Sequence, residues 1–185
     1  VYTSYDGTFS SRLADSWEQS EDGKVITFHL NPDVKWHDGE PFTAQDMVFA
    51  AQVGSAEAST VTRRSYFSSL EGTDENGVCT DLSALGVVAA DDHTVEYHLK
   101  NPVAVSTFLS IDAQRYYPMP YHLLKDVPME EMEKNEYWQH PIGTGPFIFD
   151  SMVSGESITV LANKDYFLGA PNVDRIVFKV MAPAN

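Results

Sequence analysis

The chain has 185 residues, 43% of them hydrophobic and 12% aromatic, which is enough to bury one good core. Its formal net charge of −15 argues against nucleic acids and anionic membranes as partners, because both require a basic surface. The single cysteine, Cys79, excludes an internal disulfide and any multi-cysteine metal site, and its polar surroundings favour partial exposure. We expect one globular domain over residues 1–185 without a bound metal or cofactor.

The first predicted element is a β-hairpin. Residues 13–18 and 25–30 are short runs of β-compatible composition, separated by a polar turn at 20–24. Asp-Gly at 22–23 in this turn supplies the positive φ that a tight hairpin requires. The second run has apolar residues at alternate positions, which predicts one face against a core: Ile26, Phe28 and Leu30.

A helix should follow the turn-rich residues 34–41, whose Asp-Gly and Glu-Pro pairs interrupt any regular element. Thr43 with Asp46 three positions later resembles a capping box, so the helix should begin directly after Thr43. Mostly small residues then recur at helical spacing: Met47, Ala50, Ala51 and Gly54. Such a surface would let the helix lie close to a sheet.

The middle of the chain predicts a second hairpin and three more helices. Residues 86–91 and 94–100 are strand-like runs around a polar turn. Asn-Pro at 101–102 is typical of an N-cap and a first helical residue, and we expect that helix to run to about residue 113. Residues 121–125 and 129–139 should form two further helices, the second with an acidic start that suits the helix dipole.

The last part of the chain predicts a third hairpin and a final strand. Residues 143–146 (GTGP) force a turn, and two strand-like runs follow at 147–152 and 157–162 around a Ser-Gly-Glu turn. Residues 175–181 alternate in the same way and should form the last strand. The elements together predict an α+β fold, with hairpins building a mixed, largely antiparallel β-sheet and about four helices packed against it.

Two segments carry a resemblance to a known family: residues 13–48 (LADSWEQSEDGKVITFHLNPDVKWHDGEPFTAQDMV) and residues 141–180 (PIGTGPFIFDSMVSGESITVLANKDYFLGAPNVDRIVFKV). They resemble extracellular solute-binding protein family 5, the peptide- and nickel-type substrate-binding proteins of ABC importers. The resemblance implies a subdomain of the class II periplasmic binding protein-like fold. It also implies that the chain is a fragment of the N-terminal lobe of a two-lobed protein, because the family has further regions before and after the matched part.

The implied function is binding and delivery. The parent protein would bind oligopeptides or dipeptides as a monomer, in the periplasm or as a cell-surface lipoprotein of a bacterium, and pass them to ABC transporter permease subunits. Relatives with the same two segments that carry a nickel chelate, haem or sugar are alternatives, as is a peptide-sensing receptor. A hydrolase whose site is assembled from scattered residues is the remaining alternative.

Sequence motifs of catalysis are missing, so we predict that the chain is not an enzyme. It contains no GxSxG, no GxxxxGK and no His-x-x-x-His pair. The glycine-rich residues 143–146 precede a strand, whereas phosphate binding requires a helix N-terminus. Trp36, His37 and Asp38 are neighbours in a turn, where a tryptophan that anchors the turn is favoured over an acid–base pair. No apolar run reaches about 18 residues, so no segment should span a bilayer.

Ligand contact is predicted for residues 63–70 (RRSYFSSL), a polar and aromatic stretch after the first helix. The resemblance implies that an equivalent loop approaches the peptide through an aromatic ring, and Tyr66 and Phe67 are the candidates. A second cluster of the same kind provides Arg115 and Tyr116. The alternative is that these rings pack on their own domain. Since most peptide contacts of the family lie in the other subdomains, the isolated chain should fold but bind no peptide with appreciable affinity.

Overall fold

The computed structural model describes residues 2–3, 7–60, 64–111 and 116–181, with the backbone alone at residues 2, 3 and 111. The chain divides into two compact units by its packing. Unit 1 consists of Val1–Pro32 and Thr43–Lys134, and unit 2 consists of Asp33–Phe42 and Asn135–Asn185. The two units describe how the residues pack, and they do not show whether the chain folds as one domain. One domain over residues 1–185 therefore stays a prediction.

The secondary structure is α+β, as the sequence predicts. The strands in the described ranges are β1 (Tyr2–Thr3), β2 (Phe9–Ser10), β3 (Ala14–Gln19), β4 (Val25–Leu30), β5 (Val87–Asp91), β6 (Thr94–His98), β7 (Phe147–Val153), β8 (Ser157–Ala162) and β9 (Arg175–Lys179). The α-helices there are α1 (Ala44–Ser55), α2 (Val105–Ile111) and α3 (Tyr121–Leu124). Short 3-10 helices lie at Arg64–Phe67, Leu82–Ala84, Met129–Lys134 and Glu136–Gln139. None of these helices has the length and apolar character that crossing a membrane requires.

The main sheet of unit 1 has the strand order β3-β4-β6-β5, with antiparallel neighbours. The first predicted hairpin is confirmed, because β3 pairs with β4 and Gly23 has a φ of 72° in the turn between them. The second predicted hairpin is confirmed by the pairing of β5 with β6. The apolar face of β4 is buried as expected: Ile26, Phe28 and Leu30. The sheet therefore joins the two hairpins through β4 and β6.

Helix α1 packs against β5 and β6. It begins directly after Thr43, and the predicted capping box between Thr43 and Asp46 is present. The small residues of α1 are buried: Ala44, Ala50, Ala51, Gly54 and Ser55. Their burial confirms that α1 lies close to its neighbours. Met47, which was predicted on the same surface, is only half-buried.

The predicted helix after Asn101-Pro102 starts later than expected. Helix α2 begins at Val105, so Pro102 is not its first residue, and the expected end near residue 113 lies outside the described residues. The reason is a contact distant in sequence. Val103 N–H donates to the carbonyl of Gly23 at 3.2 Å, and the Val103 carbonyl accepts from the amide of Gln19. Residues 102–104 therefore lie along the first hairpin turn instead of entering the helix.

The predicted helix over residues 129–139 is also different in the structure. Two short 3-10 helices, Met129–Lys134 and Glu136–Gln139, replace one α-helix. Asn135 separates them, with an extended backbone and a side-chain oxygen that accepts from the N–H of Tyr137 at 2.9 Å. An asparagine that caps a new turn competes with continuation of the preceding helix.

Unit 2 contains the antiparallel sheet β7-β8-β9, which confirms the third hairpin and the final strand. Gly155 has a φ of 73° in the β7–β8 turn, and β9 ends at Lys179, two residues earlier than predicted. Cross-strand pairing places three apolar side chains in one row, and all three are exposed: Met152, Ile158 and Phe178. This face of the sheet is thus apolar and open to solvent in the described part of the chain.

Trp36 anchors the turn of unit 2, as the sequence predicts. Lys35 and Pro41 form an antiparallel bridge, and the N–H of Trp36 donates to the carbonyl of Glu40 at 2.8 Å. The rings of Trp36 and Phe42 are buried and meet edge to face, with centroids 6.4 Å apart. The turn is therefore fixed by its own hydrogen bonds and by an aromatic pair.

Candidate functional site

The predicted ligand-contact residues lie in unit 1. Tyr66 and Phe67 belong to the 3-10 helix Arg64–Phe67, where Tyr66 is half-buried and Phe67 is only 8% exposed. Tyr116 belongs to the second predicted cluster and is 6% exposed. Arg115 lies outside the described residues. Tyr66 is thus the described candidate with the largest accessible fraction.

The structure brings the two predicted clusters together in a stack of rings. Phe67 stacks on Tyr116 with centroids 5.2 Å apart, and Tyr116 stacks on Tyr97 at 5.3 Å with an angle of 8° between the planes. Phe28 and Phe108 extend the stack into the core of unit 1. Large buried aromatic surfaces of this kind stabilise a fold strongly. Phe67 and Tyr116 therefore have a structural role, and a contact with ligand stays a prediction for both.

The backbone of Tyr66 is attached to this stack by a hydrogen bond. The hydroxyl of Tyr116 donates to the Tyr66 carbonyl at 3.1 Å. Gly54 of α1 provides the space for the neighbouring Phe67, because a methyl group at that position would overlap the Phe67 ring. Ring stacking, one hydroxyl and one glycine together fix the position of the 3-10 helix that carries Tyr66.

Lys100, which follows β6, holds the chain just beyond Tyr66. Its ammonium group donates to the carbonyl of Ser68 at 2.7 Å and to the carbonyl of Asp74 at 3.0 Å. Leu70 also forms a bridge with Leu99, the residue before Lys100. The sequence did not point to this contact, because a lysine at the end of a strand usually extends into water.

Residues 74–78 form a tight polar turn beside this segment. The Asp74 carboxylate accepts from the N–H groups of Val78 and Asn76, each at 2.8 Å. The hydrogen bond from Val78 is the main cause of a pKa for Asp74 below its ordinary value. Because two backbone N–H groups donate to the Asp74 carboxylate, residues 74–78 form a defined turn and not an open loop.

The expectation that Cys79 is partly exposed was wrong. Cys79 is only 1% exposed, and burial raises the pKa of its thiol. Its N–H donates to the carbonyl of Ser55 at 2.7 Å, and a parallel bridge links it to Ala56 at the end of α1. This backbone pairing draws Cys79 into the core, while most of the polar residues around it stay exposed. A buried thiol with a raised pKa is a poor nucleophile.

In unit 2, His37 joins the two sequence segments that carry the family resemblance. Its Nδ1 accepts from the N–H of Gly143 at 3.0 Å, and its Nε2 donates to the carbonyl of Gly145 at 3.0 Å. Since a backbone N–H can only donate, these contacts require the neutral ring with its proton on Nε2. His37 is therefore a structural residue of the turn at 143–146, with both ring nitrogens bonded to backbone atoms of that turn.

Within the described ranges, no group of three His, Cys, Asp or Glu side chains is placed to hold a metal ion. The turn at 143–146 is followed by β7 and not by a helix. It therefore lacks the helix N-terminus of a phosphate site, as predicted.

Comparison with known proteins gives the family. The model of the bacterial extracellular solute-binding proteins, family 5 Middle, matches residues 8–185. The chain belongs to this family. The chain is 33% identical over 177 residues to the periplasmic oligopeptide-binding protein OppA of Escherichia coli. That match covers 91% of this chain and 30% of OppA, so the chain spans less than a third of the length of this relative.

Solved structures of family 5 proteins have the same fold. The oligopeptide-binding protein AppA of Bacillus subtilis, in complex with a nonapeptide, is 28% identical with a TM-score of 0.79, over 97% of this chain and 32% of AppA. NikZ of Campylobacter jejuni, in complex with Ni(L-His), is 27% identical with a TM-score of 0.71, over 95% of this chain and 31% of NikZ. The predicted class II periplasmic binding protein-like fold is confirmed. The matched family is one of extracellular solute-binding proteins, and OppA and AppA are oligopeptide-binding proteins.

Proposed function

We propose that the chain is part of the substrate-binding component of an ABC importer that takes up oligopeptides or dipeptides. The observation that carries this proposal is the likeness to AppA in complex with a nonapeptide, which extends over 97% of the chain. Because the chain corresponds to only 32% of AppA, the activity belongs to a longer protein that contains it.

Within that protein we assign the ligand contact of this chain to the Tyr66 region. Tyr66 is half-buried on a short helix that rings and hydrogen bonds hold in place. A fixed aromatic side chain loses little conformational freedom on binding, which makes it a suitable contact for peptides of varied sequence. Phe67, Arg115 and Tyr116 stay on the list of candidates, with Phe67 and Tyr116 buried in the stack.

Transport requires no covalent step in this chain. A peptide would shift the equilibrium between the open and closed arrangements of the two lobes toward the closed one. The size of the shift is set by how much more tightly the peptide binds the closed state than the open state. The closed protein, a monomer in the periplasm or on the cell surface as a lipoprotein, would deliver the peptide to the permease subunits. The net charge of −15 fits this location no better than any other, so it adds no support.

The test is native mass spectrometry of the full-length protein, purified without denaturation, with the isolated 185-residue chain as control. We expect the full-length protein to release a distribution of peptide masses, or to take up peptides from a synthetic nonapeptide library, and the control to do neither. If the full-length protein takes up no peptide from the library but binds nickel with L-histidine, its ligand is a metal chelate, as in the NikZ complex.

A further inference from the structure

The residues that follow Tyr66 form a defined layer, which we name the 64–79 segment. Its first part is the 3-10 helix Arg64–Phe67, and its second part is the polar turn at 74–78. Gly77 lies directly against the helix, because a methyl group at Gly77 would overlap the carbonyl of Arg64. Gly77 has a φ of 80°, which a side chain would also strain. The turn therefore supports the helix from one side.

Lys100 connects these two parts of the segment. Its ammonium group donates to the carbonyl of Ser68, directly after the helix, and to the carbonyl of Asp74, at the start of the turn. Its own N–H donates to the carbonyl of Ser69 at 3.0 Å. One half-buried side chain thus uses two of its three donors on backbone oxygens six residues apart.

The 64–79 segment has other attachments at its ends and in its middle. Cys79 N–H donates to Ser55 at the far end, and Tyr116 holds Tyr66 at the near end. Between them, Glu71 N–H donates to the carbonyl of His98 at 2.9 Å. These contacts fix the path of the chain, but none of them joins the helix to the turn. Within the segment, the hydroxyl of Thr73, the residue before the turn, donates to the carbonyl of Phe67 at 3.0 Å. Lys100 connects the helix and the turn from outside the segment.

We propose that Lys100 is a positioning residue, which holds the helix and the turn together and so fixes the Tyr66 side chain for peptide contact. This inference rests on the proposed peptide-binding function. Charge-assisted hydrogen bonds are among the stronger polar contacts, and this one acts on the backbone of the candidate site. Loss of the ammonium group should let the helix and the turn move apart while the ring stack stays in place.

The experiment uses the full-length protein with Lys100→Met, which keeps an unbranched side chain close to the length of the lysine stem and removes its donors. Lys100→Arg is the rescue variant, since a guanidinium group can donate to both carbonyls. Lys125→Met is the matched control, because it removes the same charge from an exposed site over the Tyr121 ring. Hydrogen–deuterium exchange measures the amides of 64–79, and calorimetry with a synthetic nonapeptide library measures the dissociation constant.

We expect Lys100→Met to accelerate exchange in 64–79 by about tenfold or more, because local opening is no longer opposed by charge-assisted bonds. The dissociation constant should rise by about three- to tenfold, since a smaller fraction of the protein is competent to bind. Lys100→Arg should stay within about twofold of the unsubstituted protein in both measurements. Lys125→Met should change neither.

A double-mutant cycle with Tyr66→Ala separates positioning from general stability. If Lys100 acts through Tyr66, Lys100→Met should change the dissociation constant by less than about twofold once Tyr66 is alanine. An equal loss of affinity in both backgrounds would overturn the inference, as would unchanged exchange in 64–79. The proposed function fails in a different way: the unsubstituted full-length protein would then bind no peptide from the library.

Discussion

Asp46 is a buried carboxylate of unit 1, with only 3% of its surface exposed. Its Oδ2 accepts from the N–H of Thr43 at 2.8 Å, and its Oδ1 accepts from the N–H of Tyr121 at 2.9 Å. Thr43 precedes α1, and Tyr121 is the first residue of α3. One side chain therefore satisfies a backbone donor at the start of each of two helices, where no intrahelical acceptor exists.

Replacement of Asp46 by alanine leaves both N–H groups without this acceptor in a partly buried environment. A hydrogen bond to a charged group contributes about 1.5–3 kcal/mol, and a lost N-terminal cap costs about 1 kcal/mol. The cost of burying the carboxylate disappears at the same time and offsets part of the loss. We expect Asp46→Ala to lower the free energy of unfolding by about 3–4 kcal/mol, and Asp46→Asn, which keeps one acceptor, by about half of that.

Urea unfolding of the 185-residue chain, followed by circular dichroism, measures this loss as a shift of the midpoint at constant slope. The control is Asp22→Ala, because Asp22 also accepts two hydrogen bonds, from Ser20 and from the N–H of Lys24, but is exposed. We expect a much smaller shift for the control. If the two alanine variants lose the same stability, burial of the Asp46 carboxylate does not matter and the reasoning is refuted.

Three further outcomes are expected. Gly54→Ala should destabilise the chain by about 1–3 kcal/mol in the same urea assay, because its methyl group would overlap Phe67, although alanine is normally favoured over glycine inside a helix; a more stable variant would contradict this packing. The N–H of Val78 holds the pKa of Asp74 below 3.8, so the stability that Asp74 contributes is complete above its unfolded pKa and is lost as the pH falls through the lower folded value. Asp74→Asn should therefore reduce the loss of stability at acidic pH, and urea midpoints that fall equally with pH in both proteins would count against it. Finally, the isolated chain should show no peptide binding by calorimetry up to about 100 μM, because a cleft needs two walls to bury a ligand; micromolar binding of any short peptide would overturn this.

The sequence predicted those elements whose signals are local. Asp-Gly and Ser-Gly-Glu turns between alternating runs set the hairpins β3–β4 and β7–β8, and the glycines have the expected positive φ. The start of α1 was predicted for the same reason, since a capping box needs only Thr43 and Asp46. In each case the information lies within a few consecutive residues.

Two of the failures involve contacts between residues far apart in the sequence, whereas the helix predicted over residues 129–139 is interrupted by a local cap at Asn135. Val103 bonds to the turn at Gly23, so the helix expected from Pro102 begins later. Cys79 pairs with the end of α1, so its side chain is buried although most of the polar stretch around it is exposed. Neither partner can be recognised from the composition around the residue itself. For the candidate site, the sequence named Tyr66, Phe67 and Tyr116 as candidates but could not show that Phe67 and Tyr116 stack on each other.

The stack also explains how one chain can have rings with different roles. Phe67 and Tyr116 lie against neighbouring rings, so their faces are used inside unit 1. Tyr66 is adjacent to both in space, through the hydroxyl of Tyr116, yet its side chain keeps an accessible surface. A ligand contact that tolerates many peptide sequences needs such a fixed but accessible ring, because mobility would add an entropic cost to each binding event. If Tyr66 contacts the peptide as proposed, substitutions of Phe67 or Tyr116 in the stack should change peptide affinity through the position of Tyr66.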